Sequence, residues 1–296
     1  MEAVKVVKDI VYEEKTGDFG KLDLYLPGGE KCTALLIYFH GGGLEGGDKE
    51  DDRGIYQELA ARGIVVVSAN YRMYPLTRYP QYIEDAAKAV AWGLCHVREQ
   101  INYDRVVVGG ISAGAYLSMM LHFQPRFLKE SHVEESRIDG WIFDAGQPTV
   151  HYNILRERGQ DTKAVRVDEA APIYYLEGEA ARVKNQSFLI LVSDDDIPGR
   201  RRQNELLIDT MRTHQYEETQ IDYRIMRGYQ HTGYVNVKDE KGHYPYAEMV
   251  YEFIEEIKKS VLNDQDAFFL EYKIPGKHKD QQMNVAENHI QNDLPV

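Results

Sequence analysis

Apolar residues fall along this chain in two recurring forms. Short β-branched or aliphatic runs occur at residues 34–39, 64–69, 106–109, 141–145, 188–193 and 221–226, each bounded by glycine or polar turn residues. Such runs read as strands buried on both faces. Between them lie stretches with apolar positions three and four apart, the spacing of an amphipathic helix. The clearest covers 81–99, where Ile83, Ala86, Ala87, Val90, Ala91 and Leu94 share one face; others cover 55–62, 201–212 and 247–262. Residues 4–13 and 20–26 alternate in the manner of half-buried strands around Gly17-Asp18-Phe19-Gly20, which predicts an antiparallel hairpin at the sheet edge. Strands alternating with helices predict an α/β fold with a mainly parallel central sheet, helices on both faces and right-handed connections. The runs at 64–69, 106–109, 141–145, 188–193 and 221–226 are its expected parallel centre. Residues 1–263 read as one domain, with an irregular segment at 147–185 long enough to form a small cap or pocket wall, and 264–296 as a polar C-terminal tail.

Composition narrows the function classes. The 296 residues are 43% hydrophobic, enough for one large domain, and the formal net charge of −13 disfavours nucleic acid and anionic membrane surfaces as partners. No run approaches the roughly 18 apolar residues of a membrane span, and the N-terminus carries no apolar leader. Cys32 and Cys95 read as reduced, mostly buried thiols, so a cytoplasmic location is expected. Neither H-E-x-x-H nor C-x-x-C occurs, and no metal or cofactor is expected. A second copy of the chain, as a homodimer, is the one macromolecular partner left open.

The candidate chemistry sits at strand ends. The run Val106-Val107-Val108-Gly109-Gly110-Ile111-Ser112-Ala113-Gly114 places Ser112 in a G-x-S-x-G pattern between a strand and a helix. Flanking glycines let strand and helix approach while the serine takes a strained backbone that projects its hydroxyl. The strand at 34–39 ends in His40-Gly41-Gly42-Gly43, a loop whose N–H groups can surround a developing oxyanion. Its continuation, Glu45 to Asp52, is polar and reads as a flexible segment able to reach over the site. The strand at 188–193 ends in Asp194-Asp195-Asp196, and the strand at 221–226 leads to His231. A serine needs an adjacent base to act as a nucleophile, and His231 is the candidate ahead of His40, His214 and His243. By position alone, each of the three aspartates is open as the group that orients the imidazole. The order is glycine loop, serine, aspartate, histidine. Arg72 and Asp85 read as a buried ion pair, and Arg200-Arg201-Arg202 as a mostly solvated run.

These motifs resemble the α/β-hydrolases, in particular the hormone-sensitive-lipase-like esterases. The resemblance rests on His40-Gly41-Gly42-Gly43, on Gly110-Ile111-Ser112-Ala113-Gly114, and on Asn70-Tyr71-Arg72-Met73-Tyr74-Pro75 with Tyr79-Pro80 and Glu84-Asp85-Ala86, and covers about residues 20–260. Two departures are visible. Ile111 stands where many members have an acidic residue, and the short N-terminal part leaves little room for a helical cap. The resemblance implies Ser112 as nucleophile, His231 as base and Asp196 as acid, because the family's acid follows the strand-closing small residue by three. It implies Gly42, Gly43 and Ala113 as oxyanion donors. The expected function is a serine carboxylic-ester hydrolase acting on short acyl esters, such as acetyl esters, through an acyl-enzyme. The alternatives are a small serine peptidase of prolyl-oligopeptidase-like type and a non-catalytic ligand-binding protein on the same scaffold.

Overall fold

The computed structural model describes residues 3–29, 32–176 and 186–257, all within one compact unit, Met1–Ser260. The expected tail at 264–296, the last residues of the expected cap (177–185) and the end of the expected helix at 247–262 lie outside the described residues.

Eight strands form one sheet: β1 (Lys5–Val11), β2 (Lys21–Leu26), β3 (Ala34–Phe39), β4 (Ile64–Ala69), β5 (Arg105–Ile111), β6 (Gly140–Asp144), β7 (Ser187–Asp195) and β8 (Ile221–Gln230). Their spatial order is β1-β2-β4-β3-β5-β6-β7-β8. β1 pairs antiparallel with β2, and β2 antiparallel with β4; every later neighbour is parallel. The parallel part therefore includes β3, which lies between β4 and β5 and carries the glycine loop into the middle of the sheet. β3, β4, β5 and β6 are buried along their whole length, whereas the edge strands β1 and β8 are only partly covered. Burying one aliphatic side chain of such a strand contributes about 1.5–3 kcal/mol before entropy is set against it.

Seven α-helices accompany the sheet among the described residues: α1 (Arg53–Ala61), α2 (Gln81–Trp92), α3 (Ala113–Phe123), α4 (Arg126–Glu130), α5 (Tyr152–Glu157), α6 (Arg200–Thr213) and α7 (Pro245–Glu256). Two apolar clusters form on them. The larger gathers Leu35, Ile37, Val108, Leu117, Phe143 and Leu207; the other gathers Leu36, Val66, Val107, Ile142, Val250 and Phe253. Alternate residues of β3, β5 and β6 thus enter opposite clusters, as the two-residue period of a strand requires. The helix expected over 81–99 ends at Trp92 and continues as a π-helical turn, Gly93–Val97. A Cβ on Gly93 would come within 2.9 Å of Ile37 Cδ1, so this turn lies directly on the sheet. Cys95, expected to be buried, is exposed on that turn, and Cys32 is half-buried; both are free thiols. No described helix is long and apolar enough to cross a membrane.

Candidate active site

The turn between β5 and α3 carries Ser112 with φ 54° and ψ −107°, a left-handed conformation rare for a non-glycine residue. Two glycines make that turn possible. A Cβ on Gly110 would lie 2.7 Å from the Phe39 carbonyl oxygen, and one on Gly114 would fall onto that same oxygen. Strand β5, helix α3 and the end of β3 therefore meet backbone to backbone. The Ser112 N–H donates to the Asp144 carbonyl at 2.7 Å, which ties the turn to β6.

Ser112 Oγ lies 2.8 Å from His231 Nε2, and His231 Nδ1 lies 2.6 Å from Asp196 Oδ1. Burial pushes the Asp196 carboxyl up. The hydrogen bond and charge of His231, the Ile197 N–H and the Arg200 charge more than offset this and hold it below its ordinary value. An ionised carboxylate only accepts, so Nδ1 donates and Nε2 is left to accept from the serine hydroxyl. The Asp196 side chain is 1% exposed and that of His231 is 24% exposed: the carboxylate is shielded while the imidazole reaches solvent.

The other two aspartates point elsewhere. Asp194 accepts from the Gly228 N–H at 2.8 Å, and Asp195 occupies the ladder opposite Gln230. The β7–β8 register is irregular between Ser193 and Asp195, where the chain leads from the Asp194 contact to the Asp196 contact. Near the end of β7, the Ser193 hydroxyl donates to the Gln230 carbonyl at 2.8 Å, and the Ser193 N–H donates to Asp196 Oδ2 at 3.3 Å. His243, a rival base by sequence, instead faces Glu58 at 3.3 Å.

The glycine loop lies against the serine. A Cβ on Gly41 would sit 3.5 Å from Ser112 Cβ, and Gly42 and Gly43 have φ of 103° and 67°. His40 is fully buried, stacks on Tyr71 with ring centroids 4.5 Å apart, and is lowered in pKa by burial, so it stays neutral beneath the loop. Ala113, the first residue of α3, is buried beside Ser112. Gly42, Gly43, Ser112 and His231 line one open cleft of about 410 Å³, together with Asp51, Asp52, Tyr152 and Asn236. Among the described residues, no group of three or more His, Cys, Asp or Glu side chains is arranged to hold a metal ion.

Two features run against the sequence reading. The segment from Glu45 to Asp52 is pinned, not loose. Lys49 is buried against Asp23 at 3.0 Å, its N–H donates to Asn70 Oδ1 at 2.7 Å, and Asp48 accepts from Asn70 Nδ2 at 2.9 Å. Arg200 is buried rather than solvated: it donates to the Ala145 carbonyl and to Gln147 Oε1, and burial lowers its pKa to about 10. Only Arg201 and Arg202 remain at the surface. A run of three arginines holds no signal that marks the first as the buried one. Arg72 and Asp85 form a two-pronged pair, with both contacts at 2.7 Å, that braces the chain after β4.

Comparison with known proteins bears on the fold. Residues 22–139 match the BD-FAE family model. Esterase B from Lactobacillus Rhamnosis superposes with a TM-score of 0.66 at 19% identity, covering 85% of each chain. Thermogutta terrifontis esterase 2 superposes at 0.67 with 21% identity, covering 88% of this chain and 97% of that one. The chain has the α/β-hydrolase fold. Among curated proteins, this chain is 37% identical over 101 residues to the carboxylic ester hydrolase LipN of Mycobacterium tuberculosis, across 33% of its own length and 27% of that protein. It is 31% identical over 102 residues to an acetyl esterase of Salmonella schwarzengrund, across 34% and 31% of the two chains. The matched part thus spans about a third or less of these curated relatives.

Proposed function

We propose that this protein is a serine carboxylic-ester hydrolase that works on short acyl esters through an acyl-enzyme. The observation that carries the reading is the hydrogen-bonded row from Ser112 through His231 to Asp196, opening on a cleft walled by a glycine loop. In this reading His231 Nε2 takes the Ser112 proton as Oγ attacks the ester carbonyl. Asp196 keeps the imidazole in the required tautomer and stabilises the imidazolium. The N–H groups of Gly42, Gly43 and Ala113 receive the negative charge that develops on the carbonyl oxygen. The imidazolium then protonates the departing alcohol, and a water activated by the same nitrogen releases the acid. The partial exposure of His231 supports this second half, since water must reach it.

Short acyl groups are favoured by the likeness to an acetyl esterase and by a cleft whose lining includes the polar Asp51, Asp52 and Asn236. The test is a series of p-nitrophenyl esters from acetyl to octanoyl, with a fluorophosphonate probe in parallel. Turnover greatest at the short end, and labelling confined to Ser112, are the expected results. A protein inert to every ester and unlabelled by the probe would overturn the reading.

A further inference from the structure

The 2.8 Å contact between Ser112 and His231 joins segments whose strands do not touch. Ser112 follows β5 and His231 follows β8, and β6 and β7 lie between them in the sheet. Strand pairing alone leaves that distance to two intervening registers. Directly after β7 the bridging group is Asp196. On β6 it is Asp144, which pairs opposite Ile111 at the end of the β5–β6 ladder.

Asp144 has a contact on each side. Its carbonyl accepts the Ser112 N–H at 2.7 Å. Its carboxyl Oδ1 accepts from the hydroxyl of Tyr234, three residues beyond His231 in the same turn. That turn is closed by Gly233 N–H to the Gln230 carbonyl at 2.9 Å and Val235 N–H to the Thr232 carbonyl at 3.1 Å. Behind Tyr234 lie Tyr246 of α7, with ring centroids 6.1 Å apart, and Tyr38 of β3, whose hydroxyl is 2.6 Å from that of Tyr246. Asp144 is fully buried. A carboxyl in such a place is costly, and an aliphatic residue would fill the space at lower cost. Burial pushes its pKa up to about 7; the Tyr234 and Tyr246 hydroxyls oppose this, and the charges of Asp52 and Asp196 add to it.

We propose that Asp144 is a positioning residue that ties the nucleophile turn to the histidine turn, through its carbonyl on one side and Tyr234 on the other. It touches no reacting atom. Its effect is to hold the serine–imidazole distance, and small misplacements of reacting groups cost as much as about a hundredfold in rate. The inference rests on the ester-hydrolase reading for its kinetic arm only.

The test uses the full chain. kcat and KM for p-nitrophenyl acetate, and the His231 imidazole signals in proton–nitrogen NMR spectra, are measured for the wild type, Tyr234→Phe, Asp144→Ala and Asp144→Asn. Tyr234→Phe keeps the ring and removes only the hydroxyl. It should lower kcat about tenfold with little change in KM, and shift the His231 signals. Asp144→Asn keeps an acceptor for Tyr234 and should recover most of the kcat lost in Asp144→Ala. Folded variants with kcat within about twofold of wild type and unmoved His231 signals overturn the proposal. Should the wild type turn over no ester, the hydrolase reading falls while the spectra still decide: shifted His231 signals in Tyr234→Phe uphold the tie, and unchanged signals refute it.

Discussion

The two halves of the candidate site are built by different physics. The serine half is close-packed: β5, α3 and the end of β3 meet through glycines, Ser112 sits in a left-handed backbone, and the surrounding residues are almost all buried. The acid–histidine half lies where β7 and β8 extend beyond the end of β6, and is held by side-chain hydrogen bonds. Steric exclusion shapes the first half and polar pairing the second. A steric site tolerates almost no added atom, whereas a polar site tolerates volume changes but not the loss of a particular donor or acceptor.

The largest expected effect removes the contact that joins the halves. Ser112→Ala should lower ester hydrolysis by at least about 10⁴-fold in kcat while leaving the fold intact, as assayed with p-nitrophenyl acetate. Close behind is the polar half. Asp196→Asn should cost on the order of 10⁴-fold in kcat, because a neutral amide no longer enforces the imidazole tautomer. Asp194→Asn and Asp195→Asn should change kcat only a few fold, and equal losses at all three positions would show that the β7 end does not separate their roles.

On the steric half, Gly114→Ala should destabilise the protein by about 1–3 kcal/mol, since the new methyl meets the Phe39 carbonyl and neither backbone can yield without moving the glycine loop. Chemical denaturation measures this. A stability equal to wild type would mean that the close approach is not a constraint.

Two smaller effects are expected in the pH dependence of stability. Asp196 is held below its usual range, so its contribution is present above about pH 4 and lost as pH falls through its lower folded value; Asp196→Asn should flatten the acid limb of the Tm profile. Asp144 works in the opposite sense. Its folded pKa of about 7 lies above its unfolded value, so the native state binds the proton more tightly, and stability falls as pH rises from about 4 to 7. Asp144→Asn should remove that decline, read as the difference between the two Tm profiles.

Much of this molecule is legible from the chain. The strands at 34–39, 64–69, 141–145 and 188–193 announce themselves because β-branched and aliphatic runs between turn residues have few other uses, and β3, β4, β6 and β7 form along them. The turn at Ser112 is equally legible, since G-x-S-x-G between a strand and a helix is a local steric statement that needs no distant partner. The order of motifs also places a serine, an aspartate and a histidine at the same ends of parallel strands, and the structure brings Ser112, Asp196 and His231 together there.

What the chain alone leaves open is whatever depends on partners far away in sequence. Arg200, Arg201 and Arg202 have the same chemistry, and only the packing of α6 against the segment after β6 buries the first of them. The segment from Glu45 to Asp52 looks loose because its anchors, Asp23 and Asn70, lie on other elements. Asp144 reads as one position within the apolar run at 141–145, and its link to Tyr234, 90 positions away, exists only once β6 and the turn after β8 are neighbours. Local sterics and hydrophobic periodicity act within a few residues and are written in the sequence. The direction of a charged or hydrogen-bonding side chain is decided by whichever donor or acceptor the folded chain brings beside it.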